Sequence, residues 1–204
     1  MAPREGARPR IPSVRIRPVA PGEYAAVRSL DREAFERNER GSDGDFHERF
    51  ADRIRGSELY LPGLELVALT DGILIGHMVC AELPMGDGNP RAVWMALLAV
   101  RHGAADDHAA GRYEFQRRGV GTAIVAEGLR IAEGLGYVGF LTCGNGAVYR
   151  AAMGFSIASE YGITKDESVD EPDGALFAYE LVRGGFARTN RTISFARYGF
   201  MQGA

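Results

Sequence analysis

The sequence predicts an α/β fold of the α+β kind, a mixed central β-sheet with helices on both faces. Three stretches carry that expectation. Residues 64–69 (LELVAL) and 73–83 (ILIGHMVCAEL) are apolar runs joined through Thr70-Asp71-Gly72, and Asp-Gly between such runs is a strong hairpin signal. Residues 92–100 (AVWMALLAV) contain no charge, which suits a strand covered on both faces and central in its sheet. Beyond them, Val120, Ile124, Ile131 and Leu135 form a helical stripe that stops near Gly134–Gly136, and 137–143 (YVGFLTC) reads as the next buried strand. Hairpins and β-α-β units therefore alternate, which excludes a purely doubly wound sheet.

The remaining elements follow in order. Residues 13–19 (SVRIRPV) alternate as a strand, and Tyr24, Val27, Leu30 and Ala34 then share one helical face. A second short helix stacks Phe46, Phe50 and Ile54 at i, i+4 and i+8. Residues 86–91 (GDGNPR) make a turn, and 101–115 (RHGAADDHAAGRYEF) form a polar insertion. Residues 145–153 (NGAVYRAAM) predict a short helix stopped at Gly154-Phe155. Two closing strands, 174–182 and 191–198, follow the acidic loop 165–174.

Bulk composition narrows the function classes. The chain has 204 residues, 46% of them hydrophobic and 25% charged, with a formal net charge of -3. That length supports one domain, expected over 13–204 behind a disordered leader at 1–12. The balance gives no footing for nucleic acid, and no apolar run approaches the ~20 residues of a membrane helix. Cys80 and Cys143 lie in apolar runs without metal-ligand spacing, so buried thiols, a cytoplasmic setting and no metal are expected.

The stretch Gln116-Arg117-Arg118-Gly119-Val120-Gly121 opens the long helix pattern. Glycines there let backbone amides approach a phosphate, and the helix N-terminus adds roughly half a positive charge. A nucleotide P-loop needs Lys-Ser/Thr after the second glycine, where Thr122-Ala123 stand. A dinucleotide fingerprint needs a third small residue where Ile124 stands, and an acidic residue near Thr142-Cys143. Both patterns fail. What fits at every fixed position is Gln/Arg-x-x-Gly-x-Gly/Ala between a strand and a helix.

On that motif the chain resembles the GNAT superfamily of acyl-CoA-dependent N-acetyltransferases. The order of the surrounding segments, 64–83, 95–100, 144–155 and the closing strands, resembles its YhbS-like branch over about residues 16–200. The resemblance implies the GNAT fold with an extra C-terminal strand, and acetyl-CoA as acyl donor without a metal. It implies amides of Arg118, Gly119, Val120, Gly121 and Thr122 on the pyrophosphate, with Gln116 and Arg117 alongside. Backbone of Leu98, Ala99 and Val100 would meet the pantetheine arm. The implied reaction is direct attack by a primary amine, on a small molecule or a protein, through a tetrahedral intermediate. A non-catalytic acyl-CoA-binding module and an acyltransferase for longer chains are the alternatives, and a homodimer is compatible with the fold.

The resemblance also proposes roles for individual side chains. Tyr149 is the acid for the CoA thiolate, although it stands five residues before the glycine of Gly-Phe, with Arg150 at the commoner position; a packing role is the rival account. No carboxylate lies on 92–100, so Glu82 is the remaining base candidate, against a plain solvated strand end. Asn145 can cap the short helix, touch the pantetheine, or both. His77 reads as a core histidine, and His102 and His108 as exposed. Asp106, Asp107 and His108 are too close in sequence to face one metal ion. Asp43, Asp45 and Glu48 would suit a cationic amine at the acceptor mouth.

Overall fold

The Asp71-Gly72 turn folds as its residue types require, both taking positive φ (48° and 78°), and Thr70 pairs with Ile73 across it. The structure, a computed structural model, describes residues 13–36, 44–85, 91–104, 113–165, 176–189 and 192–193. The expected leader, the 86–90 turn, most of the acidic loop, His108, Asp106, Asp107 and Asp43 lie outside those residues.

Chain order is β1 (Arg15–Pro18), α1 (Tyr24–Glu36), α2 (Gly44–Arg55), β2 (Leu66–Thr70), β3 (Ile73–Pro84), β4 (Arg91–Val100), α3 (Val120–Gly134), β5 (Gly139–Cys143), α4 (Gly146–Met153), β6 (Ser156–Ile157), β7 (Thr164–Lys165), β8 (Leu176–Glu180) and β9 (Thr192–Ile193). One seven-stranded sheet has the order β1-β2-β3-β4-β5-β8-β6, with β4 at its centre as its uncharged sequence predicts. All its pairings are antiparallel except β4 with β5. The sheet is mixed because α3 carries the chain over it between these two strands.

Each face has its own core. On one, Leu30 and Ala34 of α1 and Phe50, Ala51 and Ile54 of α2 pack on Val79, Trp94, Leu97 and Leu141. On the other, Val120, Ile124, Val125 and Ala132 of α3 pack on Ala68, Met78, Val93, Met95 and Phe140. Burying each such large side chain contributes about 1.5–3 kcal/mol. Close approach of α3 depends on Gly76, where a Cβ would stand 2.6 Å from Ile124.

Four expectations change. Leu135 is 57% exposed, because the α3 stripe drifts onto Val125, Gly128 and Ala132 and the helix ends before Leu135 can reach the sheet. The C-terminal strand exists, but β9 pairs in parallel with β7 in a separate two-stranded sheet. His102 is buried rather than exposed, its Nε2 lying 3.3 Å from the Ala34 carbonyl at the end of α1. Cys143, expected buried, is only partly so, and both cysteines are free thiols.

Candidate active site

The site begins where β4 stops following β5. Their ladder has two pairs, Val93 with Phe140 and Trp94 with Leu141, although β4 continues to Val100 and β5 to Cys143. At this point β4 carries a bulge. Val79 of β3 faces Leu97 and Cys80 faces Met95, so Ala96 is left over. An extra residue bends a strand and raises its local twist. The result is a V, open past Trp94, between the ends of β4 and β5.

Strand alternation settles which β4 groups face the V. The Arg101 N–H bonds the Ile75 carbonyl of β3, whereas the Val100 carbonyl accepts a bond of 2.9 Å from the Gln116 side chain. Neighbouring residues of a strand present their backbone groups to opposite sides. Leu98 and Val100 therefore address the V, while Ala99, paired with His77, addresses β3. That removes Ala99 from the backbone groups expected to meet a ligand. Gln116 acts here as a clamp on the end of β4.

The glycine motif forms the turn that enters α3. Gly119 is the N-cap residue with φ 86°, a left-handed conformation that disfavours a side chain, and Arg117 also has positive φ, 52°. The next helical bond is Ala123 N–H to the Gly119 carbonyl, 2.9 Å. A helix has no earlier carbonyls of its own for its first amides, so those of Val120, Gly121 and Thr122 lie at its positive end. A Cβ on Gly121 would stand 3.6 Å from Leu98 and Val100 and 3.7 Å from Met153 of α4. The α3 N-terminus, the end of β4 and α4 thus converge at one mouth. Arg117 stacks its guanidinium over Tyr113 at 4.8 Å, and Arg118 donates to the Glu114 carbonyl at 2.9 Å.

Helix α4 closes the other flank. The Asn145 side chain caps it, accepting from the Ala147 N–H at 2.9 Å. Tyr149 points inward, its ring packing between Phe155 and Phe177 at 5.9 and 5.8 Å. Burial pushes that phenol above its ordinary pKa, and the Thr142 hydroxyl only partly opposes it. The one-residue offset leaves Arg150 on the outer flank, beside a separate groove of about 580 Å³ floored by Phe155, Ile157 and Phe177. Thr142, which sequence reading passed over, sits at the apex of the V. Its signal was a hydroxyl inside an otherwise apolar strand.

Glu82 is not brought to this mouth. It lies opposite Val93 at the closed end of the sheet, accepting from Arg91 at 2.6 Å and from the Tyr137 phenol at 2.8 Å. That is the C-terminal end of α3, roughly 20 Å of helix away from the glycine turn. Glu82, expected as a base, thus lies away from the V, which opens at the opposite strand ends. Burial, then the Glu82 carboxylate, pushes Tyr137 up to about 12.

His77 proves to be a core histidine with two partners. Its Nδ1 bonds Asp31 of α1 at 2.9 Å and its Nε2 bonds Glu65 at 3.1 Å, all three side chains being fully buried. Glu65 also receives bonds from the Arg55 guanidinium and the Tyr60 phenol, and Arg55 bonds Asp52 at 2.5 Å. Burial alone would lower the pKa of His77, but Asp31 and then Glu65 outweigh it and hold it at about 9. Burial alone would raise that of Glu65, but bonds from His77, Arg55 and Tyr60 hold it at about 2. Desolvation pushes the Asp31 carboxyl up, against its His77 partner. Glu48, expected to attract a cationic amine, is bound by Arg32, Nε to Oε2 at 2.7 Å.

No family model matches the chain, and neither does any curated protein sequence. Solved structures do. YhbS from Escherichia coli, a GNAT family N-acetyltransferase in complex with CoA, is 21% identical over 91% of this chain and 93% of that one, with a TM-score of 0.73. A GNAT family acetyltransferase from Brucella melitensis in complex with acetyl-CoA is 24% identical over 71% and 83%, with a TM-score of 0.55. The ribosomal-protein-S18-alanine N-acetyltransferase from Escherichia coli is 16% identical over 83% and 94%, with a TM-score of 0.52. These likenesses establish a shared fold.

Proposed function

We propose that this chain, which has the GNAT fold, is an N-acetyltransferase that moves an acetyl group from acetyl-CoA to a primary amine. One observation carries the reading. The V between β4 and β5 opens directly above the glycine turn of α3, so one ligand can meet strand backbone at one end and helix amides at the other. Extended amide groups followed by a pyrophosphate fit that arrangement, and relatives in fold were crystallised with CoA or acetyl-CoA. In this reading Gly119, Val120, Gly121 and Thr122 supply amides to the pyrophosphate. Arg117 and Arg118 add positive charge beside the turn. Leu98 and Val100 supply backbone groups to the pantetheine arm. Asn145, beyond its capping role, lies near enough in sequence to the end of β5 to reach it.

The chemistry follows from the same groups. The neutral amine adds to the thioester carbonyl, whose oxygen gains negative charge and is stabilised by the Leu98 N–H. Collapse breaks the C–S bond, and sulfur leaves with the electron pair. Tyr149 gives its phenolic proton to that sulfur, and the phenolate recovers a proton from the positively charged nitrogen of the new amide, through water. The products are an N-acetyl amide and CoA thiol. The acceptor amine belongs to a small molecule or a protein, and the two free thiols suit a reducing cytoplasm.

A second reading, acyl-CoA binding without turnover, is favoured by the position of Glu82 on Arg91 and by a β4 without carboxylates. Isothermal titration with acetyl-CoA, run beside thiol-release assays on a panel of primary amines, separates the two. Binding that vanishes in Gly121→Glu, together with amine-dependent thiol release that drops about a hundredfold in Tyr149→Phe, supports the enzyme. Binding without release on any amine leaves the binding module. Normal binding by Gly121→Glu takes the pyrophosphate off the glycine turn in both readings.

A further inference from the structure

We propose that Thr142 is a positioning residue whose hydroxyl, bound to the Met95 carbonyl, ends the β4–β5 ladder and fixes the apex of the V. The proposal deepens the acetyltransferase reading, on which the meaning of the V rests, while the pin itself is a matter of backbone geometry. The pairs Val93 with Phe140 and Trp94 with Leu141 make Met95 with Thr142 the next rung in register, and among the described residues the ladder stops short of it. A side chain stands in its place. Thr142 Oγ1 donates to the Met95 carbonyl at 3.1 Å, with the Cys143 carbonyl at 3.3 Å as a second acceptor.

Burial gives that bond its weight. Thr142 is 2% exposed and Met95 1%, so water has little access to either. A buried carbonyl left without a donor is costly, and the strand would move to find one. Met95 is also the last β4 residue before the surplus Ala96, since Cys80 of β3 faces Met95 and Val79 faces Leu97. It is therefore held from one side by β3 and from the other by Thr142. Past this doubly held residue the extra one must bend β4 out of line, which carries Leu98 and Val100 to the side where the V opens. Without the hydroxyl, the bend keeps a fixed partner on the β3 side alone.

Two roles for Thr142 separate by where its loss is felt. A threonine that only fills volume is replaced by valine, which has its shape, without effect. A positioning hydroxyl is missed at the β4 backbone and by the ligand that lies along it, and not at the glycine turn. Serine keeps the hydroxyl without the methyl.

Wild type, Thr142→Val and Thr142→Ser would be compared in two experiments. The first is NMR of the free protein labelled at methionine carbonyls and alanine nitrogens, a pairing that selects Met95-Ala96 and, besides it, only Met1-Ala2. Loss of the bond should move the Met95 carbonyl resonance upfield in Thr142→Val, with return in Thr142→Ser, while the Gly119 and Gly121 amide resonances hold their positions. The second is titration calorimetry with acetyl-CoA. Affinity should fall about tenfold in Thr142→Val and stay within about twofold of wild type in Thr142→Ser. A carbonyl resonance that stays in place in Thr142→Val, glycine amides that shift along with it, an unchanged affinity, or a serine variant as poor as the valine one overturns the proposal. If Thr142→Val does not fold, Thr142→Ala takes its place. If wild type binds no acetyl-CoA, the acetyltransferase reading fails by itself, and the carbonyl and glycine resonances decide the pin.

Discussion

The two faces of the central sheet are held by different means. Under α1 and α2, Asp31, Glu65 and His77 are buried together with alternating charge, and the largely buried Arg55 joins them through Glu65. Under α3 and α4 the contact is apolar, and the helix comes close because Gly76 leaves room for Ile124. On the charged face His77 ties α1 to β3, and Arg55 ties α2 to the residue before β2. The apolar face carries the V. A sheet fastened on one side by directional bonds can leave strand backbone unpaired on the other without losing its register.

The sharpest way to break that contrast is to remove the hub of the charged face. Glu65→Ala leaves His77 and Arg55 buried without their shared acceptor and should destabilise by about 3–5 kcal/mol, read from denaturant midpoints; a loss under about 1 kcal/mol would mean the network is idle. On the opposite face, Gly121→Glu should leave stability nearly unchanged, because a Cβ there meets only ordinary contacts. Its acetyl-CoA affinity should fall at least a hundredfold, about 3 kcal/mol, by titration calorimetry.

Proton linkage sharpens the contrast further. His77 is held at about 9, above its ordinary 6.5, so its contribution is complete below pH 6.5 and is lost as pH rises through 9. Unfolding free energy should drop by about 2 kcal/mol between pH 7 and about 9.5, and His77→Gln should flatten that slope. An unchanged slope in the variant would assign it elsewhere. The smallest effect belongs to the cap. Asn145→Ala should cost about 1 kcal/mol, and Asn145→Asp should restore the cap; acetyl-CoA affinity that falls in both would reveal a ligand contact as well.

Legibility differed between the faces in the same way. Val27, Leu30 and Ala34 announced α1 through their spacing, and the Gly-x-Gly turn announced the entry to α3. Asp31 falls on the same stripe, four residues after Val27, yet its partner is 46 residues away, so only the fold reveals why an acid sits there. His102 looked exposed because its neighbours are polar, but the carbonyl that receives it ends a different helix. The distance of Glu82 from the V could not be read, because strand order does not say at which end a sheet opens. The bulge was hidden for a simpler reason: a run as evenly apolar as 92–100 has no period to interrupt.

That bulge sets the dimension of the whole site. Ten residues of β4, Arg91–Val100, are laid against Gly76–Pro84 of β3, which is one residue shorter. The mouth is thus a surplus of contour length, about 3.3 Å of chain, that cannot be absorbed in the plane of the sheet. Before Ala96 the odd-numbered residues of β4 address β5, as the Arg91 and Met95 carbonyls do; beyond it the even-numbered ones take over. Deleting Ala96 would bring the two strands back to equal length and one parity. With the surplus gone, β4 would run on beside β5 and the gap would zip shut.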